Sequence, residues 1–452
     1  MSRSMQIAAA VAAALGASSA VLAAPPALST AAAAPVSLYV AGSSAAKNGI
    51  LAALQTNLCG GAANALTLSS TGNTNFFAVS CTVAASTGLS FAGQVATVYY
   101  RDEGGSVVGA LPIVSSKTIA QLNLSDTTNI PSCASGATAC APTVGGSSAS
   151  NGTTDTFTGA VTKKAVQLGI TDLEPAVFVG AGDNYPSAYS ASVFGTASPA
   201  QMSALSGTSQ PLFQQVFGVF VNVSGGAFGS PLPTSLSISK AALTNVLQGN
   251  VTDWNQVSNT AGSAVATASD PIVLVNRESG SGSRASAAIY FTGDECSASA
   301  ATIADPAGAA GDFFSTGNVL AAANTTTGGV TYASIDNFST TTYPNLALVA
   351  INGIAPSNLN AATGQYDYWF EATAVPAPSL SGNSLALANF IISALQTEAT
   401  APHLVDVLAI PGLSTNNAAL PVSGTASSGA ATIYVNQFTR GGSSCNTPLD
   451  AL

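Results

Sequence analysis

The sequence predicts an α/β protein of two lobes. Three observations carry that expectation. Apolar runs of strand length alternate with segments of helical period, Gly/Ser turns join them, and 452 residues exceed what one hydrophobic core organises. No hairpin signature stands between the strand-like runs, and no internal repeat is found. Charged residues make up only 7% of the chain, yet its 47% hydrophobic content is that of an ordinary globular protein.

Taken in order, the first 24 residues read as a secretory signal, with Arg3 in the n-region and a small-residue apolar stretch from Ile7 to Leu22. Val21-Leu22-Ala23 suits cleavage, and a later cut before residue 35 is also compatible. No cysteine lies near that junction, which argues against a lipid anchor, and no other run has the length to span a membrane. The expected mature protein is therefore periplasmic or secreted.

Val36–Val40 reads as a strand that ends at Ala41-Gly42-Ser43-Ser44. The helix after it places Ile50, Leu51, Leu54 and Leu58 on one face, with Ser43 or Ser44 as its cap. Val95–Tyr100 is a second strand, running into Arg101-Asp102-Glu103-Gly104-Gly105-Ser106. Ser, Thr, Gly and Asn crowd residues 120–160, which reads as a surface insertion loop clipped by cysteines. Phe217–Val223 is a buried strand, Lys240–Gln248 a helix, and Ile272–Val275 a strand leading to a helix over Ala285–Phe291. Residues 296–330 read as loop. Leu346–Ile351 is a strand, and Ser384–Glu398 a helix with Leu385, Ala388, Ile392 and Leu395 in register. These elements divide as lobe I over 36–220, lobe II over 221–345, and a return to lobe I with a C-terminal tail over 346–452.

A net charge of −10 with only ten basic residues gives no electrostatic basis for gripping nucleic acid or an anionic membrane. Six cysteines in an exported chain point to disulfides. Many pairings are open; proximity favours Cys59–Cys81 and Cys133–Cys140, which leaves Cys296–Cys445. No Cys-x-x-Cys pair occurs and His403 is the one histidine, so neither a metal nor a cofactor is implied.

The chemistry concentrates in Asn276-Arg277-Glu278-Ser279-Gly280-Ser281-Gly282-Ser283-Arg284, a Gly/Ser turn between a strand and a helix. Backbone N–H groups left unpaired at a helix start point one way, at the positive end of the dipole. Glycine lets that backbone approach a ligand, serine adds hydroxyls, and Arg277 offers a planar fork for an oxyanion. No nucleotide-binding glycine motif is present. Residues 41–46, 101–106 and 277–283 share this strand–turn–helix design. Lys47, Arg101, Arg277 and Arg284, four of the ten basic residues, lie in or beside these loops. In α/β sheets such loops converge beyond the carboxyl ends of strands.

In these motifs the chain resembles the periplasmic phosphate-binding proteins of ABC transporters, of the type II solute-binding fold, as a divergent secreted relative. Ala41-Gly42-Ser43-Ser44-Ala45 is similar to the family's first Gly-Ser loop, and Thr171-Asp172-Leu173-Glu174-Pro175 to its Ser-Asp loop. Phe217–Gly225 looks like the strand crossing into the second lobe, and Leu243–Trp254 like a helix followed by Gly-Asn/Lys-Ile/Val-Thr-x-Trp. Arg277–Ser283 matches Arg-x-x-Gly-Ser-Gly-Thr, and Asn352-Gly353-Ile354-Ala355-Pro356-Ser357 resembles Asn-Gly-x-x-Pro-Ser.

The resemblance implies that Ser43, Ser44 and Ser106 cap a phosphate anion and that Asp172 orients the site or accepts a ligand proton. It further implies that Arg277 ion-pairs with the anion while Ser281, Gly282 and Ser283 donate from the helix start. An ABC-transporter permease is the implied partner. Ser279 stands where the family's phosphate specialists carry Asp. A carboxylate there accepts the proton of monohydrogen phosphate and repels sulfate, so serine relaxes that discrimination and sulfate becomes a second candidate.

An enzyme reading lacks a base, nucleophile or metal. His403 has no nucleophile elbow beside it, and Asp172 and Glu174 at i and i+2 do not share a helix face. Trp254, Trp369 and the Tyr366–Phe370 cluster suit core packing more than sugar stacking. The competing class is a secreted or surface interaction protein that keeps the fold and has relaxed anion binding. Removing Arg277 as alanine is expected to abolish anion binding with little loss of stability.

Overall fold

The computed structural model describes residues 24–130, 133–146, 156–179, 193–229, 233–294, 296, 302–304, 313–397, 407–410, 425–426 and 432–451. The signal segment up to residue 23, His403 and Glu398 lie outside them.

The first sheet is built around strand Val36–Gly42, which pairs in parallel with Val95–Arg101 on one side and Leu168–Thr171 on the other. Antiparallel strands extend it both ways. Phe76–Thr82 and then Leu66–Ser69 follow Val95–Arg101, while Trp369–Pro376 and then Gln210–Val216 follow Leu168–Thr171. The strand Gln210–Asn222 continues beyond that sheet. Its second half, Phe217–Asn222, pairs with Gly329–Ser334 and Leu346–Ile351. Ser235–Ile238 and Val273–Leu274 complete a second sheet beside those two. One 13-residue strand thus belongs to both sheets, and it is buried from Leu212 onward. That explains its almost unbroken apolar run, since a central strand covered on both faces has no polar side to show.

The α/β expectation holds, with departures in detail. The hairpin Leu66–Ser69/Phe76–Thr82 is real, although no short turn signature marks it. Its connection is held by Ser70, whose Oγ donates to the Asn73 and Phe76 carbonyls. Within 296–330, read as loop, Thr316–Thr325 forms a helix capped by Ser315, whose Oγ accepts from Asn318 N–H. Its Thr-, Asn- and Gly-rich composition hides the apolar face of Val319, Leu320 and Ala323. Leu346–Ile351 is the expected strand, hydrogen-bonded within the second sheet.

The helix Lys47–Ala53 runs on as a π-type turn to Leu58. It buries Ile50, Leu54 and Leu58 against the first sheet together with Leu387, Ile391 and Leu395 of helix Gly382–Thr397. Helix Val107–Ser115 crosses the sheet at close range because glycines meet there. A Cβ on Gly169 would lie 1.7 Å from the Gly109 carbonyl oxygen, so neither strand nor helix tolerates a side chain at the crossing. This crossing brings Ser106, at the head of that helix, beside the end of strand Leu168–Thr171.

The disulfides Cys59–Cys81, Cys133–Cys140 and Cys296–Cys445 are all formed, the pairing that proximity favoured. Trp254 and Trp369 are buried, the first donating its indole N–H to the Gly328 carbonyl at 2.9 Å.

Candidate functional site

Four loops, drawn from both sheets, meet at one buried point. From the first sheet come Ser43-Ser44, Ser106 and Asp172. From the second comes the Arg277–Ser283 turn, followed by helix Gly282–Ala287 and a π-type turn to Thr292. Ser281 caps that helix, its Oγ accepting from Arg284 N–H. The contact between the two sides is tight at Gly282, where a Cβ would stand 2.4 Å from both Asp172 Oδ2 and Ser106 Oγ. Gly105 is equally constrained, because its Cβ would lie 2.8 Å from the Ser281 Cα. Backbone joins the two sides as well, Val107 N–H donating to the Gly280 carbonyl at 3.0 Å.

Ser43 Oγ donates to Asp172 Oδ1 and accepts Ala46 N–H at 2.9 Å, so it closes the turn before the helix instead of capping the helix itself. Ser106 Oγ accepts the backbone N–H of Asp172 at 3.0 Å. Ser44 faces the other way, accepting Thr316 N–H at 3.0 Å while its Oγ lies 2.9 Å from Thr316 Oγ1. Thr316, at the start of the helix hidden in the loop-like region, was not foreseen as a member of this cluster; the Ser-Thr pair before an apolar stripe was the available signal.

Arg277, 1% exposed, donates Nε to the Phe313 carbonyl at 2.8 Å and Nη1 to Thr316 Oγ1 at 3.2 Å. Its Nη2 pairs with Glu278 Oε1 at 3.3 Å and reaches the Phe314 carbonyl at 3.4 Å. Arg284, also buried, donates Nη1 to the Arg277 carbonyl at 3.0 Å. Ser283 Oγ and Glu278 Oε2 are buried with no hydrogen-bond partner among the described residues. Ser279 is half-buried at the rim of this group.

Burial decides the electrostatics. Asp172 is pushed above the usual carboxylate range by desolvation, with the Ser43 bond, the Arg277 charge and Ser106 pulling the other way. Glu278 is raised further, to about 7, because desolvation outweighs its ion pair with Arg277. When these two carboxyls hold their protons, the buried guanidinium groups of Arg277 and Arg284 leave a positive centre suited to an anion.

Beside this point opens a cleft of about 770 Å³ between the two sheets, with Ser44, Lys47 and Asp102 on one wall and Phe313, Ser315 and Asn318 on the other. Lys47 Nζ pairs with Asp102 Oδ2 at 3.0 Å. Arg101 turns away from the cleft, its guanidinium packed 4.8 Å from the Phe157 ring and near Phe76 and Phe194. Among the described residues no group of three or more His, Cys, Asp or Glu side chains could hold a metal ion, and no helix is long and apolar enough to cross a membrane.

Residues 190–380, which contain the crossing strand and the Arg277 turn, match the family model described as the PBP superfamily domain. Across that segment this chain resembles the PBP superfamily. None of the curated proteins compared with the chain matches it. Among solved structures, the chain is similar to a Clostridium perfringens protein described as a phosphate ABC transporter substrate-binding protein with bound phosphate. That likeness has 11% identity over 78% of this chain and 92% of the other, with a TM-score of 0.41. It is also similar to an ABC-type phosphate transport receptor from Vibrio cholerae, at 17% identity over 40% of this chain and 65% of the other, TM-score 0.29. A phosphate-binding protein from Stenotrophomonas maltophilia shows 12% identity over 52% of this chain and 69% of the other, TM-score 0.33.

Proposed function

We propose that this chain is an exported solute-binding protein that captures a small tetrahedral oxyanion, phosphate foremost, between its two lobes and without catalysis. One observation carries the reading: the Arg277–Ser283 turn of the second sheet closes on Ser106 and Asp172 of the first, at a point where Ser106, Asp172, Arg277, Ser281 and Ser283 are all buried. Two lobes meeting on a fixed set of hydroxyls, N–H groups and a guanidinium are what reversible capture requires. The matched PBP superfamily model, spanning the segment that holds Arg277, supports the same class. In this reading Arg277 ion-pairs with the anion, Ser281, Gly282 and Ser283 donate to it, and Ser43, Ser44 and Ser106 complete the shell from the opposite lobe. Ligand displaces the direct Ser43–Asp172 bond, and Asp172 then orients the site. A transporter permease is the downstream partner, and the protein works in the periplasm or outside the cell.

Calorimetric titration of the anion-stripped mature protein with phosphate, then sulfate, at fixed ionic strength tests this. Saturable binding of either anion that is lost in Arg277→Gln is the expected result. Binding of neither would overturn the reading and favour an extracellular interaction protein that keeps the fold.

A further inference from the structure

The cleft beside the anion site is far larger than an inorganic anion needs, and its chemistry is specific. Its volume of about 770 Å³ continues into a further pocket of about 290 Å³ that shares Thr74, Asn75 and Asn318 with it. The walls carry amides and hydroxyls drawn from both lobes, groups that donate and accept without carrying charge, beside apolar Phe313, Ala321 and Ala322. Three charged residues stand among them: Lys47 and Asp102, paired at 3.0 Å, and Glu103, whose Oε2 accepts from Asn73 Nδ2; Asp102 Oδ1 is buried with no partner among the described residues. A carboxylate and an ammonium held side by side suit vicinal hydroxyls, one accepting their protons and the other donating to their oxygens. Phe313, half-buried on the facing wall, offers an apolar surface for the C–H face of a ring.

This groove adjoins the anion site. Ser44 lines it, Ser44 Oγ lies 2.9 Å from Thr316 Oγ1, and Thr316 Oγ1 accepts from Arg277 Nη1 at 3.2 Å. A phosphoryl group held by Arg277 therefore has the polar groove next to it, one Ser44–Thr316 pair away, to receive a substituent. Ser279 fits the same picture. Monohydrogen phosphate carries a proton that a carboxylate at this position accepts, whereas a phosphomonoester dianion has an ester oxygen in its place and no proton to give.

We propose that the ligand is a phosphorylated polyol of the sugar-phosphate class, its phosphoryl group at Arg277 and its hydroxyls along the Asn75–Asn318 groove. This rests on the anion-capture reading above and narrows its ligand. Glucose 6-phosphate, inorganic phosphate and free glucose are titrated in parallel into the mature protein and into Asn318→Leu, a change at an exposed position that leaves Arg277 untouched. Glucose 6-phosphate is expected to bind at least tenfold more tightly than phosphate, with that margin lost in Asn318→Leu while phosphate affinity stays unchanged. Phosphate binding with the ester weaker or excluded would overturn the proposal and leave the anion-capture reading standing. Free glucose binding as tightly as its phosphate would overturn it by removing the anchor, and binding of none of the three would overturn both.

Discussion

Cys296 is bonded to Cys445 across 149 residues of sequence, and each cysteine ends a segment rooted at the anion site. Cys296 follows the helical stretch that begins at Ser281-Gly282-Ser283. Cys445 follows Ser444, whose N–H donates to Glu174 Oε1 at 2.8 Å, two residues beyond Asp172. Arg440 anchors the same tail, donating Nε to the Trp369 carbonyl and stacking its guanidinium 4.4 Å from the Phe370 ring. The disulfide therefore ties the helix that follows the Arg277 turn of the second sheet to the tail packed on strand Trp369–Pro376 of the first.

If ligand capture works by the two sides moving apart and closing, such a tether limits how far they separate. In the variant Cys296→Ser/Cys445→Ser the ligand-free protein is predicted to open wider, read as a larger radius of gyration in small-angle scattering, and to release ligand faster. In the chain-entropy account a loop of this length contributes about 5 kcal/mol as an upper figure, so thermal stability falls as well. An unchanged radius of gyration and release rate would show that the bond serves stability alone.

Arg277 has a structural role that the sequence did not disclose. Its guanidinium donates to the carbonyls of Phe313 and Phe314, which also accept the Glu278 and Gly104 N–H groups, so Arg277→Ala removes those side-chain bonds and leaves buried Glu278 without its ion pair. The expected cost is about 2–4 kcal/mol in a urea titration, not the small loss that a pure binding residue would show. Arg277→Lys, which keeps the charge but not the fork, is expected to recover part of the stability and little of the anion affinity.

Glu278 sets a pH dependence of definite sign. Its folded-state pKa, about 7, lies above the ordinary 4.5, so the native state holds the proton that the unfolded state gives up. Its contribution to stability is fully present below about 4.5 and is lost as pH rises through about 7. Protonation also removes a negative charge beside Arg277. Sulfate, which does not titrate in this range, is expected to bind more tightly as pH falls through 7, and Glu278→Gln to flatten both curves. A slope unaltered in that variant would assign the effect to another group.

Gly282 and Gly317 predict opposite outcomes for the same substitution. A Cβ at Gly282 meets Asp172 and Ser106 at 2.4 Å, while one at Gly317 meets nothing within 4 Å. Gly282→Ala should lose about 1–3 kcal/mol and the anion affinity with it, whereas Gly317→Ala, on an exposed helix turn, should gain up to about 1 kcal/mol. Urea midpoints of the two variants against the parent decide it.

The α/β class, the crossing strand Phe217–Val223 and the Arg277 turn were legible because periodicity and glycine placement are local properties. The helix Thr316–Thr325 and the hairpin strand Phe76–Thr82 were not, for a tertiary reason. Thr316 and Ser315 read as loop residues until Ser44 and Asn318 satisfy them, and the hairpin's connection is held by the Ser70 side chain where a glycine turn would have been visible. Arg101 was placed near the site by its sequence neighbours, but its guanidinium packs among the rings of Phe76, Phe157 and Phe194 instead. Ser106, by contrast, joins the cluster through the Gly109–Gly169 crossing, a contact between residues 60 apart in sequence that no local pattern announces.

Ser279 is where selectivity should be tunable. The position is half-buried and two residues from Arg277 in the same turn. Serine presents a hydroxyl that serves equally as donor or acceptor, so a fully ionised anion and a protonated one are received alike. Ser279→Asp supplies an acceptor that rewards a ligand proton and repels an anion lacking one. The variant is predicted to retain monohydrogen phosphate while losing sulfate at least tenfold, about 1.4 kcal/mol in discrimination. The same carboxylate should weaken glucose 6-phosphate, whose dianion has no proton to offer. Competition titrations of the three ligands read both effects at once. Sulfate binding unchanged in Ser279→Asp would place residue 279 outside the ligand's reach, whatever its neighbours Arg277 and Ser281 do.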